Sequence, residues 1–323
     1  MSAHPGVTKK RRQLTTAQRE NRAGLAFVTP TLVVVLVVVI IPILWTILLA
    51  FQNAKLVDIQ GMGVFGNWSL HNFTQVFTSP GFWPSLFTTL AYTVGGTAGS
   101  VLLGLIAALA LRKPFRGRGL LRSSMLLPYV APVVAVAFVW QVALSPQYGI
   151  VNQWGGKVFG WDNPIAFLST RDYQVDVFGA HFGVPLALLT VIAFETWRYF
   201  PFAFLFLLAR LQAVPDGLEE AARVDGATPT QRFRYILLPQ LMPVIALLSV
   251  LRFILTFNKF DDVYLLTGGG SGTDVVAVRV YDFLTANFDV GAAAAQALVL
   301  AAVLMVLLGV YFKFFAKKVQ EEA

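Results

Sequence analysis

Six apolar runs, each long enough to cross a lipid bilayer as a helix, leave this chain little room for any other kind of fold. They cover about Leu25–Phe51, Leu86–Leu111, Leu120–Leu144, Phe182–Leu208, Leu241–Leu266 and Gly291–Phe315. A helix needs about 20 apolar residues to span the hydrocarbon core. Composition points the same way, since only 13% of the 323 residues are charged and 56% are hydrophobic. Soluble domains carry about 25% charged residues, so this chain cannot dress a surface that faces water. The fold class expected is an all-α membrane protein with six transmembrane helices. With no cysteine there is no disulfide, thiolate metal site or cysteine nucleophile. The three histidines, His4, His71 and His181, are too scattered to suggest a metal or catalytic centre.

A net charge of +8 would suit a nucleic-acid partner, but its placement excludes one. Lys9, Lys10, Arg11, Arg12, Arg19 and Arg22 precede the first run, and Arg112, Lys113, Arg116, Arg118 and Arg122 follow the second. Arg210, Arg223, Arg232 and Arg234 follow the fourth, and Lys313, Lys317 and Lys318 end the chain. The other set of loops holds only Lys55, Lys157, Arg171, Lys259 and Arg279. Basic residues stay in the cytoplasm, so both termini and the second and fourth loops are expected there. The chain then divides into a basic cytoplasmic tail at 1–24, a six-span domain at 25–316 and a cytoplasmic tail at 317–323. The first run is too long for the apolar core of a cleavable signal, about 7–15 residues. Trp68, Phe73, Phe77, Phe82 and Trp83 lie in the outer loops and are expected to form an interfacial belt.

The fourth loop, about 213–240, has a structure of its own. Asp216 with Glu219 three residues on has the spacing of a capping box, and Gly226 suits the left-handed turn that closes a helix. Thr228, Pro229 and Gln231 open a second helix in the same manner, and Pro239 and Pro243 mark the return to the membrane. A rigid, capped elbow suggests a lever that docks on a partner, because a flexible loop would join two spans at little cost. Ala221 and Ala222 permit close approach, and Glu219, Glu220 and Arg223 set orientation. The alternative, an amphipathic helix lying on lipid, is disfavoured by those acidic residues.

This segment resembles the EAA loop of binding-protein-dependent ABC importer permeases. That pattern is EAA, three residues, Gly, nine residues, then Ile-x-Leu-Pro, and it matches at Glu220, Ala221, Ala222, Gly226, Ile236, Leu238 and Pro239, with Asp225 inside it. The resemblance implies that this loop docks on a cytoplasmic ATPase subunit and couples hydrolysis to movement of the spans. Trp197-Arg198-Tyr199-Phe200-Pro201-Phe202 and the segment Phe260–Gly270 are similar to stretches of six-span sugar permeases of the maltose and lactose type. Implied partners are a second permease forming a hetero-dimer, two ATPase subunits and an extracytoplasmic solute-binding protein, in a bacterial or archaeal cytoplasmic membrane. The sequence has no G-x-x-x-x-G-K-[ST] phosphate loop. ATP and Mg are therefore expected on the ATPase subunits, with no cofactor on this chain and no enzymatic activity of its own.

Ionisable groups inside spans mark pathways or structural pairs. Glu195 and Arg198 stand three residues apart on one helical face and are expected to pair. With Trp197, Asn258, Asp261 and Tyr264 they form a candidate substrate path, offering hydrogen bonds and aromatic faces to a sugar. Arg252 carries the same ambiguity between path and structural pair. Gly95, Gly96, Gly99 and Gly104 suggest close packing of the second span, and Ala292–Ala295 of the sixth. Glycerol phosphate or another polyol remains an alternative cargo, and a secondary transporter is the alternative of another class.

Overall fold

In hydrocarbon a segment must satisfy its own backbone hydrogen bonds, so apolar runs become helices. The computed structural model describes residues 16–57, 68–161, 163–177 and 180–321. Lys9–Arg12 of the basic tail and Asp162 of an outer turn lie outside them. Among the described residues, five helices are long and apolar enough to cross a membrane: Gly24–Ala50, Phe82–Leu111, Leu186–Gln212, Pro229–Phe257 and Val290–Lys313. The first is the apolar part of a helix beginning at Thr16, and the last continues to Glu321.

Three of the expected spans differ from what hydropathy suggested. The third is not straight: Arg118–Val130 and Val133–Ala143 meet at 97°. Pro132 causes the break, since its ring disfavours a helical residue before it, and Ala131 is extended with ψ 143°. The fourth span starts at Leu186 rather than Phe182, which belongs to an antiparallel hairpin of Asp172–Val177 and Ala180–Pro185. The fifth ends at Phe257 rather than Leu266. Asn258–Phe260 break it, and Asp261–Thr267 form a separate helix with Asp261 and Asp262 in its first turn, where the helix dipole favours carboxylates.

Two prolines leave the same mark. In the first and fifth spans a π turn, Leu36–Ile40 and Phe233–Leu237, precedes Pro42 and Pro239 by the same interval. A proline has no N–H for the carbonyl four residues back and its ring crowds that carbonyl. A π turn there shifts the register and lets the helix continue.

The second and fourth spans are packed against each other through glycines. A Cβ on Gly96 would lie 2.7 Å from Glu195 Cγ, and one on Gly104 would lie 2.7 Å from Ala203 Cβ and 2.8 Å from the Phe204 nitrogen. Gly104→Val should therefore lower stability by about 1–3 kcal/mol through overpacking. Gly309→Ala, where nothing lies within 4 Å, should leave the melting temperature in detergent unchanged.

The ends of the spans away from the fourth loop are held by polar ties. Asn72 donates to the carbonyls of Ala50 and Gln52 at 2.9 and 2.7 Å, closing the end of the first span. Ser85 donates to Asp274 at 2.5 Å, and Arg279 lies 3.5 Å from the same carboxylate. Burial raises the Asp274 carboxyl above its ordinary range, while Ser85 and Arg279 work against that shift. The expected aromatic belt is partial: Trp68, Phe77 and Trp83 are exposed, but Phe82 is buried beside Val76 and Ala295. Ala292–Ala295 are buried, as close packing of the sixth span requires.

Candidate functional site: a polar cluster and an elbow

Glu195 of the fourth span is fully buried, and its partner is Arg252 of the fifth span rather than Arg198. Arg252 donates to one carboxylate oxygen, Thr256 donates to that same oxygen at 2.8 Å, and Tyr92 of the second span donates to the other at 3.0 Å. Three spans are thus joined at one carboxylate. Arg252 also donates to Thr256 at 3.0 Å, four residues on along its own helix.

Arg198 is taken by another demand. The kink at Pro132 frees the Ala131 carbonyl, and Arg198 donates to it at 3.2 Å. A carbonyl stranded at membrane depth needs such a partner, which is why the expected pair with Glu195 does not form. Arg198 Nη1 is buried without a hydrogen-bond partner among the described residues. Tyr199 sits at the centre of a cationic group, with Arg252, Lys259 and Arg198 at 4.2, 4.5 and 5.5 Å from its ring centroid. Lys259 donates to the Tyr199 hydroxyl and lies 3.3 Å from Asp261 and 3.7 Å from buried Asp262. Arg252 is thus paired with Glu195 and Lys259 lies beside Asp261 and Asp262, while Arg198 is held by the Ala131 carbonyl and the Tyr199 hydroxyl.

The other path residues are dispersed around it. Trp197 is half-buried and packs on Trp140, with ring centroids 5.6 Å apart. Asn258 is exposed and donates to the Ile254 carbonyl at 2.9 Å. Tyr264 joins Phe260 and Tyr281 in a separate aromatic group with centroids 4.9 Å away. Tyr92, Tyr199 and Thr256 were not singled out from sequence. Thr256 had a signal, its four-residue spacing from Arg252. Tyr92 had none, because its contact spans 103 residues of chain.

The elbow is built from Asp216–Val224 and the turn that follows. Its N-cap is Pro215, extended at ψ 127°, so Asp216 is the first helical residue rather than the N-cap its spacing suggested. The other end matches the sequence. Gly226 has φ +79°, Ala227 N donates to Ala222 O at 2.9 Å and Gly226 N to Arg223 O at 3.2 Å, the paired bonds of a Schellman turn. Asp225 is the C-cap. Thr228 and Gln231 then form a full capping box over Pro229. No separate second helix follows, because Pro229–Arg232 runs through the π turn directly into the fifth span.

Within the EAA-type segment, Ile236 and Leu238 are half-buried, Pro239 is exposed, and Leu237 between them is buried with Leu211, Val214 and Leu241. Glu220 and Ala221 are exposed and Ala222 is half-buried. Leu218 and Val224 are also exposed, Val224 at 88%. Leu218, Ala221 and Val224 follow at three-residue intervals and present an apolar strip beyond the membrane-spanning helices.

The family of binding-protein-dependent transport system inner membrane components matches residues 100–321, a stretch that includes the elbow and most of the cluster. This chain belongs to that family. Among relatives, the permease is 39% identical over 229 residues to the inner membrane ABC transporter permease protein YcjO of Escherichia coli, covering 71% of this chain and 73% of that one. It is 33% identical over 265 residues to the trehalose/maltose transport system permease protein MalF of Thermococcus litoralis, covering 82% and 83%. Its fold matches a chain of a bacterial ABC transporter involved in import of the acidic polysaccharide alginate, with a TM-score of 0.77, 21% identity and coverage of 93% and 96%. As a permease of this family it is a membrane-spanning transport component, which removes the secondary-transporter alternative.

Proposed function

We propose that this permease imports a sugar, a mono- or oligosaccharide delivered by an extracytoplasmic solute-binding protein, and that a separate ATPase drives it by alternating access. The observation that carries this reading is the elbow, a capped helix that puts apolar side chains into water beside the joined fourth and fifth spans. Such a strip is stabilised by a partner that covers it. In this reading Glu220, Ala221, Ala222, Asp225 and Gly226 dock on the ATPase, while Ile236, Leu238 and Pro239 carry its displacement into the fifth span. The six-span domain pairs with a second permease, two ATPase subunits bind ATP and Mg, and both termini face the cytoplasm. The absence of a phosphate loop from the sequence supports placing hydrolysis on the partner.

The trehalose/maltose relative supports a sugar cargo. In the cluster Glu195 is paired with Arg252, and Asp261 and Asp262 lie beside Lys259, which leaves Arg198 alone among the three cations without a carboxylate partner among the described residues. A path for glycerol phosphate would favour several such uncompensated cations, because a phosphate is costly to desolvate unless it is paired. The test is uptake into proteoliposomes carrying the complex that co-purifies with this chain. Neutral sugar should accumulate only with ATP inside and binding protein outside. Uptake that needs neither, or that is confined to phosphorylated or charged cargo, would overturn the proposal.

A further inference from the structure

The cytoplasmic end of the second span touches the elbow, and none of the roles above uses that contact. Arg112, the first residue past the helix Phe82–Leu111, is ion-paired with Glu219 of the elbow helix. The two side chains are only 20% and 14% exposed. Two more arginines fix the same helix end: Arg122 donates to the Leu111 carbonyl at 2.7 Å and Arg118 to the Arg112 carbonyl at 3.2 Å. These carbonyls belong to the last turn of a helix, where they lack intrahelical partners and attract cations. Arg112 itself is left to pair with Glu219, and the two line a cavity of about 320 Å³ with Lys113, Leu211, Gln212 and Arg223.

We infer that Arg112 is a positioning residue for coupling: with Glu219 it braces the elbow to the second span, so that the second span, the fourth span and the elbow move as one lever. The inference rests on the elbow being the ATPase contact. Its geometry follows from three connections. The elbow helix continues the fourth span within a few residues, Gln212 to Asp216. Along the membrane, the second and fourth spans are locked by glycines that admit no side chain, Gly96 and Gly104. At the cytoplasmic end the Arg112–Glu219 pair ties the second span to the elbow that continues the fourth. A displacement of the elbow then reaches the second span directly, and with it Tyr92, which holds the Glu195 carboxylate 3.0 Å away. The brace leaves the apolar strip of Leu218 and Val224 exposed for a partner.

The test uses the purified complex and measures transport per ATP hydrolysed. Arg112→Glu should retain ATP hydrolysis yet lower transported sugar per ATP about tenfold, the scale of a coupling energy between contacting groups. Adding Glu219→Arg restores the opposite charges and should recover most of the ratio. Because the natural chain has no cysteine, Arg112→Cys with Glu219→Cys can be bridged by a short bifunctional thiol reagent. A rigid lever transports with the bridge in place. An unchanged ratio in Arg112→Glu, no recovery in the double reversal, or transport abolished by the bridge would each overturn the brace while leaving the importer reading intact. A wild-type chain that holds no ATPase would overturn both.

Discussion

Replacing Arg252 with alanine should destabilise the permease by about 3–5 kcal/mol, the loss expected when one partner of a buried ion pair is removed. Glu195 would remain fully buried, with the Tyr92 and Thr256 hydroxyls still donating to it but no cation beside it in place of Arg252. The measurement is the thermal midpoint in detergent, read beside the yield of inserted protein. Replacing both partners, Glu195→Gln with Arg252→Met, should recover most of that stability, because no unpaired charge is then left buried while the Gln carbonyl can still accept from Tyr92 or Thr256. The double variant also separates structure from function. It should be as stable as wild type and poor at transport if these groups serve the path. Normal transport by that variant would confine the pair to a structural role.

Val224→Asp is expected to abolish most transport without touching the fold. The side chain is 88% exposed, and surface substitutions of that kind stay within about 0.5 kcal/mol in stability. A carboxylate within a docking strip must be desolvated when the partner binds. Hot-spot losses start near 2 kcal/mol, roughly thirtyfold in affinity. Insertion and melting temperature should match wild type while ATP-driven uptake falls by at least that factor. Gly226→Leu acts differently. Nothing crowds a Cβ there, but φ +79° is left-handed, so the penalty is local strain of about 1–2 kcal/mol in the turn. It should therefore impair uptake less than Val224→Asp.

Much of this molecule was legible in its sequence because lipid and helix caps act over short stretches of chain. Hydropathy finds a span whatever its neighbours are, and the turn at Gly226 and the capping box at Thr228 need only adjacent residues. The errors came where local signals compete. Pro128 and Pro132 lie in a run apolar enough to span, and hydropathy averages over the kink they produce. Phe182 and Val184 are apolar, yet Pro185 delays the helix to Leu186. Arg198 and Glu195 had the right spacing to pair, but the kinked Ala131 carbonyl and Arg252 made stronger claims on them. Pairings such as Tyr92 with Glu195, or Arg112 with Glu219, join residues more than a hundred positions apart, and periodicity carries no information about them.

The proposed role of the elbow, joining this permease to an ATPase, can be read by purifying the tagged chain in mild detergent and identifying by mass what comes with it. An ATPase subunit and a second permease are expected with the wild-type chain, and loss of the ATPase alone with Val224→Asp. A chain that purifies without any ATPase under mild conditions, or one that retains it fully in Val224→Asp, would rule that role out.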